Sequence, residues 1–518
     1  MIRIGLMAAS LMFTLAVSSS RIEAETPWVA LDSSGRLVYR TLPRGDRIVD
    51  FSYAGYMGGG VPLPSRLPMG MAVAPSGGDD TAAIQKAIDE VSAMPLKEGI
   101  RGAVLLKAGT FQCSATPNIT ASGVILHGSG PTEGGTTLKL TGEPHVAISI
   151  AGNHEEKVVG TPAHIVEPYV PSGALTITVD DGSVFAPGDS IRITRETTPK
   201  WLHLMGMDKM VRDGKAETWV GPRIATLRKV AARKGNVLTL DVPVTDSYDR
   251  EYLQPEGAEV AKVEITGTIE QDAVESLHIV APARTVSLDD PLFGAVDLTN
   301  LRDGWVRDLL IDETTNGIDV NQYTARITIE NVVFRHTTEI TSPAKPADFG
   351  LRGTQILVYK CGSSGNNLFY AWTGARNQGP NVVLDSVFHG DGRIQPHQRW
   401  ATGFLVDSVN LPQGGIDMKN RGEMGSGHGW AMGWGVVWNS SAASLVMQNP
   451  PGAANWSIGT TGPEGKEAMK IIGVHPRDAG PSEPQGYIES PNHRVLPESL
   501  YKAQLAERLG VGSLKALE

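Results

Sequence analysis

The apolar positions of this chain change period along its length. Ala83, Ile84, Ala87, Ile88 and Val91 fall at the spacing of one helical face. Asp79 or Asp80, just ahead, can N-cap that helix. The next stretch, "GAVLLKAGTFQ" from Gly102 to Gln112, reads as a short apolar strand followed by a Gly turn. Further on a phrase recurs, with an apolar residue first and last and Asp or Asn third. It reads Val306-Arg307-Asp308-Leu309-Leu310-Ile311, then Ile329-Glu330-Asn331-Val332-Val333-Phe334, then Val383-Leu384-Asp385-Ser386-Val387-Phe388. A weaker copy is Leu405-Val406-Asp407-Ser408-Val409, and the starts lie 23, 54 and 22 residues apart. If the long interval is two periods of about 27, the chain repeats one short group of strands per coil. Stacked coils of this kind bury a continuous apolar interior, and Asp or Asn suits the tight turn between two strands. Near the end, Leu500, Ala503, Leu505 and Leu509 give a partly amphipathic helix closed by Gly510, expected to cap or clasp the far end.

Residues 161–266 do not follow the repeat. "PRIATLRKVAARKGNVLTLDVPV" reads as two strands joined by a hairpin at "RKGN", so this block is expected to be an inserted β domain. Its "RETTPKWLHLMGMD" stretch, with Trp201, could form an arm over one end of a groove. The first residues, "MIRIGLMAASLMFTLAVSSSRIEAETPW", have a basic start, an apolar run and a small-residue cleavage point after Ala24. They predict a secretory signal and a secreted or periplasmic protein. The chain thus divides into a signal peptide (1–24), an N-terminal cap with the first coils (25–160), the insert (161–266), coils carrying a groove (267–460) and a tail with a capping helix (461–518).

At Asp79-Asp80-Thr81-Ala82-Ala83-Ile84-Gln85, followed by Val104-Leu105-Leu106-Lys107-Ala108-Gly109-Thr110, the chain resembles the pectate-lyase-like right-handed parallel β-helix superfamily. The resemblance implies an all-β solenoid whose N-terminal helix covers the first coil, which has no neighbour to bury its core or pair its edge.

Composition narrows the partners. At 518 residues the chain exceeds one small core, which suits a solenoid or several domains. A formal net charge of −10 gives no global attraction for nucleic acid or anionic membrane, so a polyanion would have to be met by a local basic groove. A monomer is expected. Cys113 and Cys361, the two cysteines, exclude a Cys-based zinc cluster, and nothing in their spacing demands a bridge.

Candidate chemistry gathers in the C-terminal third. His389, His397 and His428 fall close together, with Arg393, Arg399, Lys419 and Arg421 among them; six of the ten tryptophans, Trp372, Trp400, Trp430, Trp434, Trp438 and Trp456, lie in the same third. Residues one coil apart stack at about 4.8 Å, which would bring His397, Arg399, Arg421 and His428 to one face. Such a set suits β-elimination on a uronic-acid polysaccharide. That reaction must neutralise a carboxylate, remove the proton α to it, and protonate the departing oxygen. Arg399 or Arg421 would clamp the carboxylate, His397 would be the base, and His428 the acid or its partner. His389, Arg393, Asn420 and the indoles of Trp201, Trp372, Trp400 and Trp430 would hold sugar.

The segments Pro396-His397-Gln398-Arg399-Trp400-Ala401-Thr402-Gly403, Asn420-Arg421-Gly422 and Gly425-Ser426-Gly427-His428-Gly429-Trp430 also resemble secreted bacterial polysaccharide lyases. Some relatives use Ca²⁺ for the carboxylate; here no compact Asp/Glu run is visible, no cofactor is expected, and Ca²⁺ remains open. The "GHG" at 427–429 is similar to one motif of polygalacturonase-type hydrolases. Those need clustered carboxylates, whereas Asp391, Asp407 and Glu423 are scattered and Asp289-Asp290 lies upstream. A C5-epimerase shares the proton abstraction. A non-catalytic carbohydrate-binding β-helix is the remaining alternative.

Overall fold

The computed structural model describes residues 27–212, 214–216, 218–342, 344–463 and 483–518. The expected signal peptide and residues 464–482 of the expected tail lie outside the described residues. The chain folds as a parallel β-helix: among the described residues 28 strands join in one sheet. Along one wall the ladder runs Val274, Val306, Ile329, Val358, Val383, Val406 and Val437, each the partner of the next. All seven are fully buried, so one apolar column forms the interior of successive coils.

The ladder explains the recurring phrase. The 54-residue interval is two coils, because Val358 stands between Ile329 and Val383. The weaker copy is one residue out of phase. Leu384 pairs with Asp407, so Ser408 rather than Asp407 continues the column that holds Asp385. That column is made of left-handed residues: Asp308, Asn331, Lys360, Asp385, Ser408 and Asn439 have φ between 43° and 57°. One left-handed residue bends each strand at the same point of every coil. Asp and Asn tolerate that conformation better than most side chains. Asn331 Nδ2 also donates to Asp308 Oδ1 at 2.7 Å, tying one bend to the next.

The N-terminal helix, Thr81–Ser92, buries Ile84, Ala87, Ile88 and Val91 against the first coils, while Ala83 is exposed. Asp79 and Asp80 divide the capping. Asp79 Oδ1 accepts the Thr81 N–H at 3.0 Å, and Asp80 instead holds the Ser76 N–H at 2.8 Å. Cys113 and Cys361 are both buried free thiols.

The C-terminal helix, Leu500–Leu509, packs along the outer flank rather than across an open end. Its Leu500, Tyr501 and Leu505 join Leu357, Leu384, Leu405 and Val436, the outward neighbours of the interior column, and Phe51 and Trp28 from the N-terminal stretch. Leu509, expected on the apolar face, is largely exposed. The two termini are knitted by hydrogen bonds from Phe51 N–H to Gln504 Oε1 at 2.9 Å and from Tyr501 Oη to Ala54 O at 2.7 Å.

Strands between Glu155 and Thr266 form a separate seven-stranded antiparallel sheet with its own core of Ile177, Val179, Ile191, Ile193, Leu238 and Val260. It leaves the coils beside Thr299 and Asn300, whose carbonyls take the N–H groups of Gly152 and Ile269. It lands on later coils through a joint of Trp201, Trp219, Trp400 and Trp430 with Met205 and Met207. Arg228 Nη2 bonds Gly379 O at 3.0 Å, and Thr245 and Thr402 hydroxyls meet at 2.8 Å. The insert therefore arches along the coils. Each buried indole removes on the order of 150–250 Å² from water, which makes the tryptophan joint its main hold.

The docking of the C-terminal helix depends on Asp407. Its Oδ2 accepts Ser499 Oγ at 2.7 Å and the Tyr501 N–H at 2.9 Å in a fully buried setting. Burial pushes this carboxyl up to about 6, outweighing those hydrogen bonds. A raised folded-state value means stability is greatest below the unfolded carboxylate range and falls as pH rises through about 6. Asp407→Asn is expected to lose that pH dependence in urea melts, and Asp407→Ala to lose about 1–3 kcal/mol by orphaning the helix start.

Candidate functional site

A cleft of about 1220 Å³ lies between the insert and the coils. The coil wall is built by the ladder. Leu351 pairs with Thr373, the Arg352 N–H bonds Val320 O, and the His397 N–H bonds Thr373 O. Asn321, Arg352, Gly374 and His397 thereby occupy one edge on successive coils, three steps or about 14 Å from end to end. The insert wall carries His154, Glu156, Arg192, Thr194, Arg223 and Thr226. Near the base of the insert, the His154 and Tyr323 rings stack at 3.8 Å and 6°, joining the two walls.

The lining is cationic. Arg192, Arg223, Lys345, Arg352 and Arg376 face it, against one carboxylate, Glu156, which is ion-paired to Arg192. A protein of net charge −10 thus concentrates positive charge where its two β units meet. Below the coil wall, Asp297 and Asp319 are ladder partners on adjacent coils. Burial raises both carboxyls. Asp319 adds to the rise at Asp297, while Arg352, at 3.6 Å from Asp319, and Lys345 oppose the rise at Asp319. Burial also lowers Lys345.

Of the expected site residues, His397 and Trp372 line this cleft. His397 is held neutral: burial, then Arg421, Lys345 and Arg399, depress its imidazole to about 3. Its ring lies 5.9 Å from Trp372 and 4.5 Å from His428 between centroids. Trp372 also has the Arg352 guanidinium 5.5 Å from its ring.

The other residues are placed differently. Arg421 is buried and donates from Nη1 to His397 O at 2.6 Å, and Arg399 bonds the Ser426 carbonyl and hydroxyl. Both are used on the protein's own backbone, so they shape the field at His397 rather than stand open to a carboxylate. His428 is buried behind His397, its carbonyl bound by the Arg399 N–H and Trp219 Nε1. Arg393 does not hold sugar: it is fully buried in a bidentate pair with Asp417. Trp201, Trp400 and Trp430, expected to hold sugar, are likewise closed to it. They are 6%, 2% and 1% exposed inside the insert joint, where an indole has no face left for a ring. Asn420 is buried, with its amide donated to Glu483 and its carbonyl bound by the Gly422 N–H. His389 is exposed but lies outside the cleft lining.

Sequence reasoning missed Lys345, Arg352 and Arg376, which sit in the turns between strands, and Arg192 and Arg223, which sit on the insert. The stacked pair Asp297 and Asp319 was also missed; its signal is a one-coil spacing of 22 residues within strand phrases. Among the described residues no three His, Cys, Asp or Glu side chains converge on a common point. The cleft wall offers cations where Ca²⁺ needs oxygen ligands, so its residues do not fit that ion. No described helix is long and apolar enough to cross a membrane.

No family model matches the chain, and no curated protein matches it. Solved structures give loose overall likenesses. The chain is similar to the tailspike protein gp49 from Pseudomonas phage LKA1, at 13% identity over 74% of this chain and 69% of that one, with a TM-score of 0.39. It is similar to the polygalacturonase from Erwinia carotovora ssp. carotovora, at 12% identity over 80% and 98%, with a TM-score of 0.32. The A-module of the Azotobacter vinelandii mannuronan C-5 epimerase AlgE6 matches at 12% identity over 87% and 100%, with a TM-score of 0.26. The β-helix assignment rests on the ladder itself.

The "GHG" segment has a packing role that can be tested. Gly429 has φ 57°, and a Cβ there would lie 2.3 Å from the Trp219 ring. Gly429→Ala is therefore expected to cost about 1–3 kcal/mol through overpacking. Hydrogen exchange should show the loss first in the insert.

Proposed function

We propose that this protein is an exported carbohydrate-active enzyme that draws an acidic polysaccharide into the cleft and cleaves it by β-elimination. The observation that carries the reading is the place of His397 in the wall of a cleft lined by five Lys and Arg side chains, where burial and nearby charge depress its imidazole. Export follows from the expected signal sequence alone.

In this reading Lys345 and Arg352 neutralise the uronate carboxylate, the role first expected of Arg399 and Arg421. His397 Nδ1 or Nε2 takes the proton α to that carboxylate. The C–H electron pair becomes the new ring double bond, and the bond to the glycosidic oxygen breaks. The imidazolium so formed is disfavoured by burial and by Arg421, Lys345 and Arg399, which drives its proton on to the departing oxygen. An imidazole at about 3 is a weak base in the empty cleft. A bound polyanion cancels part of the cationic field and raises its basicity when substrate is present.

That sequence has a pH signature. The acid limb of kcat/KM, which reports the free enzyme, should lie near pH 3, and the acid limb of kcat should lie higher because substrate is bound. His397→Ala should lower kcat by roughly 10²–10⁴-fold with the fold intact. The readout is ultraviolet absorbance of the unsaturated product over a panel of uronic polysaccharides. An equally active, folded His397→Ala protein would exclude His397 as the base.

A hydrolase is the second reading, and Asp297 with Asp319 favours it. Two stacked carboxyls raised by burial could supply an acid and a base. New reducing ends without unsaturated product, abolished by Asp319→Asn, would select it over β-elimination.

A further inference from the structure

Arg376 of the coils and Arg223 of the insert line the same cleft where the insert approaches the coils. Arg376 is exposed on the coil wall, and its N–H bonds Arg399 O at 2.8 Å. A Cβ on Gly221 of the insert would lie 2.7 Å from Arg376 Nη1, so this guanidinium rests against the insert backbone. Arg223 follows Gly221 by two residues and lines the same cleft. Arg376 has no carboxylate partner among the described residues, and Arg223 has only the exposed Glu196 at 3.7 Å. Two cations facing one cleft with so little counter-charge favour a bound anion there. Arg376 also has φ 56°, a conformation that glycine adopts at least cost. What arginine adds at such a turn is its charge.

We propose that Arg376 and Arg223 form an anion subsite separate from the cations beside His397, taking a second acidic group of the same polymer. The proposal rests on the reading of the cleft as a polysaccharide site and deepens it: the substrate carries repeated negative charge, and the insert selects for it. The group bound is a carboxylate or a sulfate, both of which suit paired guanidinium groups. Glu196 tempers the subsite by competing for Arg223.

The test uses the full-length protein in a His397→Ala background, by affinity electrophoresis in gels containing polygalacturonate, alginate, dextran sulfate or neutral dextran. Arg376→Gln and Arg223→Gln are expected to weaken binding to at least one polyanion roughly tenfold at low salt. Arg376→Lys should retain part of the affinity, and Glu196→Gln should strengthen it. Neutral dextran should not respond. Losses confined to polygalacturonate and alginate identify a carboxylate subsite; losses confined to dextran sulfate identify a sulfate subsite. Thermal melts confirm that each variant is folded. The proposal is overturned if no polyanion retards the parent, or if the Arg376→Gln and Arg223→Gln proteins bind as tightly as the parent. It stands or falls apart from the catalytic reading. Cleavage that persists in His397→Ala sinks the base assignment without touching the subsite, and normal binding by Arg376→Gln sinks the subsite without touching the base.

Discussion

The parallel ladder between coils is the constraint on which everything else depends. Its register holds Val306, Ile329, Val358, Val383 and Val406 in one buried column and repeats one left-handed bend per coil. Because the step is fixed at about 4.8 Å, side chains separated by dozens of residues become near neighbours. Arg352 and His397 share an edge for that reason alone. A single-residue slip would turn the interior column outward, so the edge that faces the cleft is fixed by the same packing that stabilises the core.

A ladder by itself supplies one wall. The second wall comes from the insert, which leaves the coils beside Thr299 and Asn300 and lands on Trp400 and Trp430. The space between these two attachments is the cleft. Its charge runs opposite to that of the chain as a whole, and the opposition is local: insert and coils each contribute arginines to one space. Burial chiefly depresses the His397 imidazole, and the fields of Arg421 and Arg399, though these are tied to backbone carbonyls, add to it.

The fold was legible because coils impose a local signature. An apolar phrase with Asp or Asn at the bend recurs, and an amphipathic helix precedes it. The copy at Leu405 misled by one residue, since Ser408 takes the left-handed position that Asp385 holds one coil earlier. The site was legible only in part. Clustering of His, Arg and Trp marked coils that border the cleft but mixed two populations. His397 and Trp372 face the cleft, whereas Trp400, Trp430 and Arg393 serve the insert joint and the interior. Period alone tells which residues stack, not which side of the coil they face, and the insert's landing site is encoded nowhere in the repeat. Lys345, Arg352 and Arg376 escaped notice because turns carry no periodic signal, and Arg223 because its wall belongs to another sheet.

Under the proposed function an acidic polymer lies between the coil wall and the insert wall, with an acidic group beside His397. A crystal structure of the His397→Ala protein with a bound acidic oligosaccharide tests it most directly. Density is expected along the edge from Asn321 to residue 397, with one carboxylate on Lys345 and Arg352. An oligosaccharide seated on another face, with the cleft empty, would contradict it.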